Sequence, residues 1–184
     1  FKNIEYFNSG ILDTKLESNS QDFGYCLGVL HHTNEINDGI RFFEKILKKN
    51  APFLIYLYYN FENRNFLYKS IWKMTNIIRL LVSKFPFKLK KFTTDILALF
   101  LYYPLARLSL ILNLFGLNTK KIPLSFYKDK SFYTMRTDSL DRFGTKLERR
   151  FSKKEIEEML ISNGFKDVKF SETEPFWVAI CRKI

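Results

Sequence analysis

The sequence predicts a mixed α/β fold, and three observations carry that prediction. Short apolar runs of strand length alternate with polar breaks in the first third, and a helical periodicity lies between the second and third of those runs. The chain then closes on a capped helix followed by two more strand-like runs. With 184 residues, 46% hydrophobic and 17% aromatic, there is enough apolar surface to bury a core as one domain, which excludes a disordered chain.

The first runs are residues 4–7 (IEYF), 23–30 (FGYCLGVL) and 53–59 (FLIYLYY). Between the last two, Ile36, Ile40, Phe43, Ile46 and Leu47 recur at helical spacing over residues 35–49, with Asn34 or Asn37 available as a cap. Strand, helix, strand in that span implies two parallel strands joined by a right-handed crossover. Residues 62–115 turn helical and strongly apolar, with breaks expected at Phe85-Pro86 and Tyr103-Pro104, giving two or three helices. Residues 117–137 read as a basic, aromatic loop. Ser152 and Glu155 form a capping box, Ile156, Met159, Leu160 and Ile161 supply an apolar face, and Asn163-Gly164 closes the helix. Residues 165–170 and 176–181 follow as antiparallel neighbours joined near Pro175.

The net charge of +11 is unevenly placed. Residues 1–61 carry −1, residues 62–130 carry +10 and residues 131–184 carry +2. A basic middle block favours phosphate-bearing partners, either lipid headgroups or nucleic acid. Cys26 and Cys181 are the only cysteines and sit inside apolar runs, so neither a disulfide framework nor a cysteine-rich zinc site is expected, and a reducing cytoplasmic setting fits. His31 and His32 are the only histidines; adjacency sends their rings in different directions, which argues against a metal held by both.

Four segments resemble the second half of a class I S-adenosylmethionine-dependent methyltransferase: NIEYFNSGILD, DFGYCLGVLHHT, the helix at 38–49 with APFLIYLY, and GFKDVKF with FWVAICRK. The resemblance implies an incomplete Rossmann-like sheet made of the family's strands 3, 4, 5, 7 and 6. It assigns residues 1–61 and 131–184 to that domain and 62–130 to a helical, basic insertion or lid. The family's glycine-rich loop and the acidic residue ending its second strand would precede Phe1, so the chain is expected to be a fragment. In the family order 3-2-1-4-5-7-6 the run at 4–7 would then lack its neighbours, and it is expected either to pack poorly or to pair directly with residues 23–30.

The resemblance also implies site residues. Gly10, Ile11 and Asp13 fall in the turn that meets the adenine, with Ile11 offering a backbone N–H. Cys26, Leu27 and Gly28 fall where backbone carbonyls accept from the methionine amino group. His31 is the candidate general base, an imidazole of near-neutral pKa being suited to taking a proton from an acceptor hydroxyl, and His32 the candidate substrate contact. For both histidines, capping the following helix is the alternative. Tyr133, Arg136, Asp141 and Arg142 are candidates for a polar or anionic substrate, with Arg136 as a bidentate clamp or as half of a pair that fixes the loop. The activity implied is methyl transfer from S-adenosyl-L-methionine to a small or lipophilic acceptor. The alternative is a non-catalytic membrane-surface or interaction protein that keeps the sheet.

The run at 96–117 is apolar enough to raise a membrane span. Pro104, Arg107 and Asn113 weigh against it, an arginine near the centre costing on the order of 2.5–3.5 kcal/mol. A lid pair, or a helix lying in a membrane interface with Lys84, Lys88, Lys90 and Lys91 on an anionic surface, fits better. Nucleic acid ranks behind a peripheral membrane contact, because no ordered ladder of aromatics separates the lysines.

Overall fold

The computed structural model describes residues 3–64, 66–119, 122–173 and 175–184. The chain divides into two compact units, Phe1–Asn63 with Leu147–Ile184, and Arg64–Lys146.

The first unit is a four-stranded sheet. Strand β1 (Gly24–Leu27) leads through a 3-10 turn at Leu30–His32 into helix α1 (Ile36–Ile46), and β2 (Pro52–Tyr56) returns parallel to β1. After the second unit come α6 (Lys153–Ser162), β3 (Phe165–Phe170) and β4 (Val178–Lys183), the order across the sheet being β1-β2-β4-β3. Strand β4 is antiparallel to both of its neighbours. This is the order and direction expected for the family's strands 4-5-7-6, with the closing strand inserted between two others.

Burial follows the period of two that a strand imposes. Cys26, Phe53, Ile55, Ala179 and Cys181 turn inward, where they join Ile40, Phe43 and Ile46 of α1 and Ile156 and Leu160 of α6. Phe53 stacks on Phe43 at 4.5 Å and meets Phe165 at 5.2 Å. Each such ring removed from water contributes about 1.5–3 kcal/mol. The opposite face keeps Tyr25, Leu27 and Ile180 exposed. Helix α6 carries the expected capping box: Ser152 Oγ accepts from the Glu155 N–H, while the Glu155 carboxylate accepts from the Ser152 N–H at 2.7 Å.

One expected strand does not form. Residues 4–7 have no strand conformation, and Ile4, Tyr6 and Phe7 are exposed. Of the two outcomes expected for this run, poor packing is the one found; Phe1 and Lys2 lie outside the described residues. The reason is hydrogen bonding. Without a neighbour to exchange N–H and C=O bonds, a four-residue run gains nothing from being extended and leaves its backbone to water.

The second unit is helical: α2 (Phe66–Val82), α3 (Phe87–Leu97), α4 (Tyr103–Leu114) and α5 (Phe132–Gly144). Pro86 separates α2 from α3 as expected. Tyr103-Pro104 does not break the helix, because the missing N–H of Pro104 falls just after a π turn in which the Tyr103 N–H donates to the Ala98 carbonyl five residues back. A π-helical segment, Ala98–Tyr102, joins α3 to α4 without interruption. Its wider turn has a use. Buried positions recur every four residues at Thr94, Ala98, Tyr102 and Ala106, a spacing that drifts about 40° per step in an α-helix and that the π turn offsets.

Residues 131–146, placed with the sheet from sequence, lie in this helical unit instead. Helix α5 takes in residues 132–137 of the loop expected at 117–137, and is capped by Ser131, whose Oγ accepts from the Thr134 N–H at 3.1 Å. Met135 and Phe143 of α5 are buried with Val82, Tyr102 and Ala106, and that packing decides its place.

Candidate functional site

In an open α/β sheet the segments leaving the carboxyl ends of parallel strands gather at one edge. Here β1 and β2 end together, with the Gly28 N–H donating to the Tyr56 carbonyl at 3.1 Å. Gly28 has φ +73, a left-handed conformation that glycine adopts without strain, and this turns the chain out of β1 toward the 3-10 turn.

Beyond β1, at the start of α1, lies a cavity of about 290 Å³ lined by Ile11, Leu12, Leu30, Thr33, Asn34, Glu35 and Gly39. Its size is at the small end of ligand pockets, about 300–1,000 Å³. Gly39 lets α1 approach: a Cβ there would overlap the buried Leu30 side chain. The Gly10–Asp13 turn supplies the other wall. The Asp13 N–H donates to the Gly10 carbonyl at 3.1 Å, as does Thr14 Oγ1 at 2.9 Å, and Asp13 Oδ2 sits over Gly10 where a Cβ would come within 2.7 Å.

Of the residues assigned to the cofactor from sequence, Ile11 lines this cavity, with Gly10 and Asp13 forming the turn that presents it. Cys26, Leu27 and Gly28 do not line it. The Cys26 thiol is buried in the core, and burial pushes its pKa up, as it pushes Cys181 up to about 12, so both are inert thiols. Sequence reasoning passed over Thr33, Asn34 and Glu35. Their signal was position: they follow the histidine pair directly, in the post-strand segment where ligands bind.

His31 is 0% exposed. Its ring stacks on Tyr58 at 3.7 Å and lies 4.1 Å from the His32 ring, with Tyr56 edge-on at 6.5 Å. Neither ring nitrogen has a hydrogen-bond partner among the described residues. Burial, then the neighbouring His32, lower its pKa to about 4, with Glu148 opposing and Arg150 adding to the depression. At neutral pH it is therefore an uncharged imidazole and a weak base, not the near-neutral one expected.

His32 is only half-buried. Its Nδ1 donates to the Leu147 carbonyl at 2.8 Å, which leaves Nε2 as the unprotonated nitrogen of the neutral ring. Around the pair stand Arg150 and Glu148, also unforeseen. Arg150 donates to Glu148 Oε1 from Nε and Nη2, both at 2.8 Å, and its guanidinium lies 5.0 Å over Tyr58 and 4.5 Å over Phe61. The Arg149 N–H donates to the His31 carbonyl at 3.0 Å, so residues 147–151 hold the histidine turn from outside.

Tyr133, Arg136, Asp141 and Arg142 all lie on α5 in the helical unit. Arg136 is a bidentate partner of Asp95 on α3, at 2.8 and 2.7 Å, and this holds the Asp95 carboxyl below its usual range. Arg142 donates to Thr75 Oγ1 at 3.2 Å, and Tyr133 is exposed. Tyr102 donates to Asp138 at 3.0 Å; burial and that carboxylate raise its phenol pKa. Among the described residues no group of three or more His, Cys, Asp or Glu is placed to hold a metal.

No protein-family model and no curated protein matches the chain. Solved structures similar to it include a SAM-dependent methyltransferase, possible histamine N-methyltransferase, from Thermotoga maritima, 12% identical with TM-score 0.44 over 96% of this chain and 62% of that one. A SAM-dependent methyltransferase from Methanosarcina mazei is 14% identical with TM-score 0.46, over 96% and 65% of the two chains. A possible exported protein from Bordetella parapertussis is 8% identical with TM-score 0.45, over 95% and 42%. The chain thus spans less than two thirds of the length of each.

Proposed function

We propose that the protein of which these residues form part transfers a methyl group from S-adenosyl-L-methionine to a small or lipophilic acceptor. The observation that carries the reading is the sheet order β1-β2-β4-β3, with β4 alone reversed and a cavity beyond β1 walled by the Gly10–Asp13 turn. Residues present there suit one end of the cofactor. Ile11 supplies a wall and a backbone N–H, and Glu35 a carboxylate for a hydroxyl or ammonium group. At about 290 Å³ the cavity suits part of the cofactor.

When bound, the cofactor supplies an electrophilic methyl on a sulfonium. The protein's part is to hold the acceptor in line and to receive its proton. His32 Nε2 is the better placed of the two imidazoles for that proton, since His31 is enclosed and weakly basic. His31 then serves as a rigid plate behind Tyr58. The test is equilibrium dialysis of the complete protein with labelled S-adenosylmethionine. Saturable binding, displaced by S-adenosylhomocysteine and weakened by Glu35→Gln and Ile11→Pro, is expected. Absence of saturable binding in the complete protein overturns the reading and favours the non-catalytic alternative.

A further inference from the structure

The helical unit carries an apolar surface that its own core does not use. Along the continuous helix Phe87–Leu114, the buried positions Thr94, Ala98, Tyr102, Ala106 and Ser109 form one stripe. On the opposite side Phe92, Leu99, Phe100, Leu108, Ile111 and Leu114 recur at helical spacing and are exposed, Phe100 at 73% and Leu114 at 76%. At 1.5 Å per residue the stripe from 92 to 114 is about 33 Å long. A soluble helix ordinarily turns its apolar stripe inward and its polar residues outward; this one turns apolar residues to both sides.

Charge identifies what the outer stripe meets. Residues 64–146 contain sixteen Lys and Arg against four Asp, a net charge of +12, while the rest of the chain carries −1. Between residues 66 and 128 the single acidic residue is Asp95, and it is neutralised by Arg136. Lys84, Lys88 and Lys91 are exposed at the amino-terminal end of the stripe. A second copy of this chain would bring an equally cationic unit against it and be repelled. An anionic lipid surface offers both an apolar interior for the stripe and phosphates for the lysines.

We infer that the helical unit docks on anionic membranes with the Phe92–Leu114 stripe lying in the interface. The helix lies flat and does not cross. Its inner side is tied down by polar bonds that a bilayer interior would not tolerate: Arg136 to Asp95, Ser139 Oγ donating to the Thr94 carbonyl at 2.8 Å, and Arg107 donating to the Lys128 carbonyl at 2.8 Å. This inference is independent of the methyl-transfer reading.

The experiment is flotation of the full chain with vesicles of phosphatidylcholine alone and of equal parts phosphatidylcholine and phosphatidylglycerol. Co-flotation with the anionic vesicles, reversed by alkaline carbonate and weakened about tenfold or more by combined Phe100→Asp and Leu114→Asp, is expected. Lys88→Glu with Lys91→Glu tests the charge separately and should reduce binding severalfold, the circular dichroism of both pairs matching wild type. No flotation of the wild type overturns the inference, as does binding indifferent to lipid charge. Carbonate resistance would show a span instead. A dimer that Phe100→Asp dissociates would assign the stripe to a second copy, and retention on polyglutamate without flotation would assign it to an acidic protein.

Discussion

Replacing His31 by phenylalanine should make the protein less sensitive to acid. In the native fold the imidazole is enclosed by Tyr58, His32 and Tyr56, near Glu148 and Arg150, and its pKa falls from 6.5 to about 4. In the unfolded chain it returns to the ordinary value. Between the two, the unfolded state binds more protons than the folded one, so stability is full above pH 6.5 and is lost as the pH falls toward about 4. At about 1.4 kcal/mol for each pH unit of depression, the loss is on the order of 3 kcal/mol, a large part of a domain's total stability. Phenylalanine keeps the stack on Tyr58 and removes both the proton site and two unpartnered nitrogens, which cost about 1–3 kcal/mol when left unsatisfied. The assay is urea unfolding followed by circular dichroism at several pH values from about 7 to about 4, run on wild type and His31→Phe. A wild-type midpoint that falls with acid more steeply than the variant's is expected. Parallel curves, or a His31 resonance titrating near 6.5, would refute the reasoning.

Three further outcomes follow from the packing. Gly39→Ala should destabilise by about 1–3 kcal/mol in urea unfolding despite the better helix propensity of alanine, because the new Cβ meets the enclosed Leu30. Ser152→Ala removes the Oγ arm of the α6 capping box while keeping the backbone N–H that donates to Glu155, and should cost about 1 kcal/mol, read as a lowered unfolding midpoint. Arg136→Ala should lower the unfolding midpoint only slightly, the pair with Asp95 being partly exposed, and a double-mutant cycle with Asp95→Ala should return a small favourable coupling that weakens with added salt.

Some of this was legible along the chain. The Ser152–Glu155 box, the stop at Asn163, the break at Pro86 and the period-two runs of β1 to β4 are signals within a few residues of one another, and each appears where its local chemistry puts it. The sheet order was reached through the resemblance. The run at 4–7 looks as much like a strand as 52–56 does, yet only the latter has neighbours to bond, and no local pattern records that difference.

By itself the sequence determined the type and order of most elements, the location of the positive charge and the placing of a glycine and two histidines just after a strand. The tertiary structure alone decided that His31 is sealed and uncharged, that Arg136 pairs with Asp95, 41 residues away, and that α5 joins the helices. The division has a physical cause. Backbone periodicity and capping act over one or two turns of chain, whereas desolvation and the choice of an ionic partner depend on which distant surfaces exclude water together.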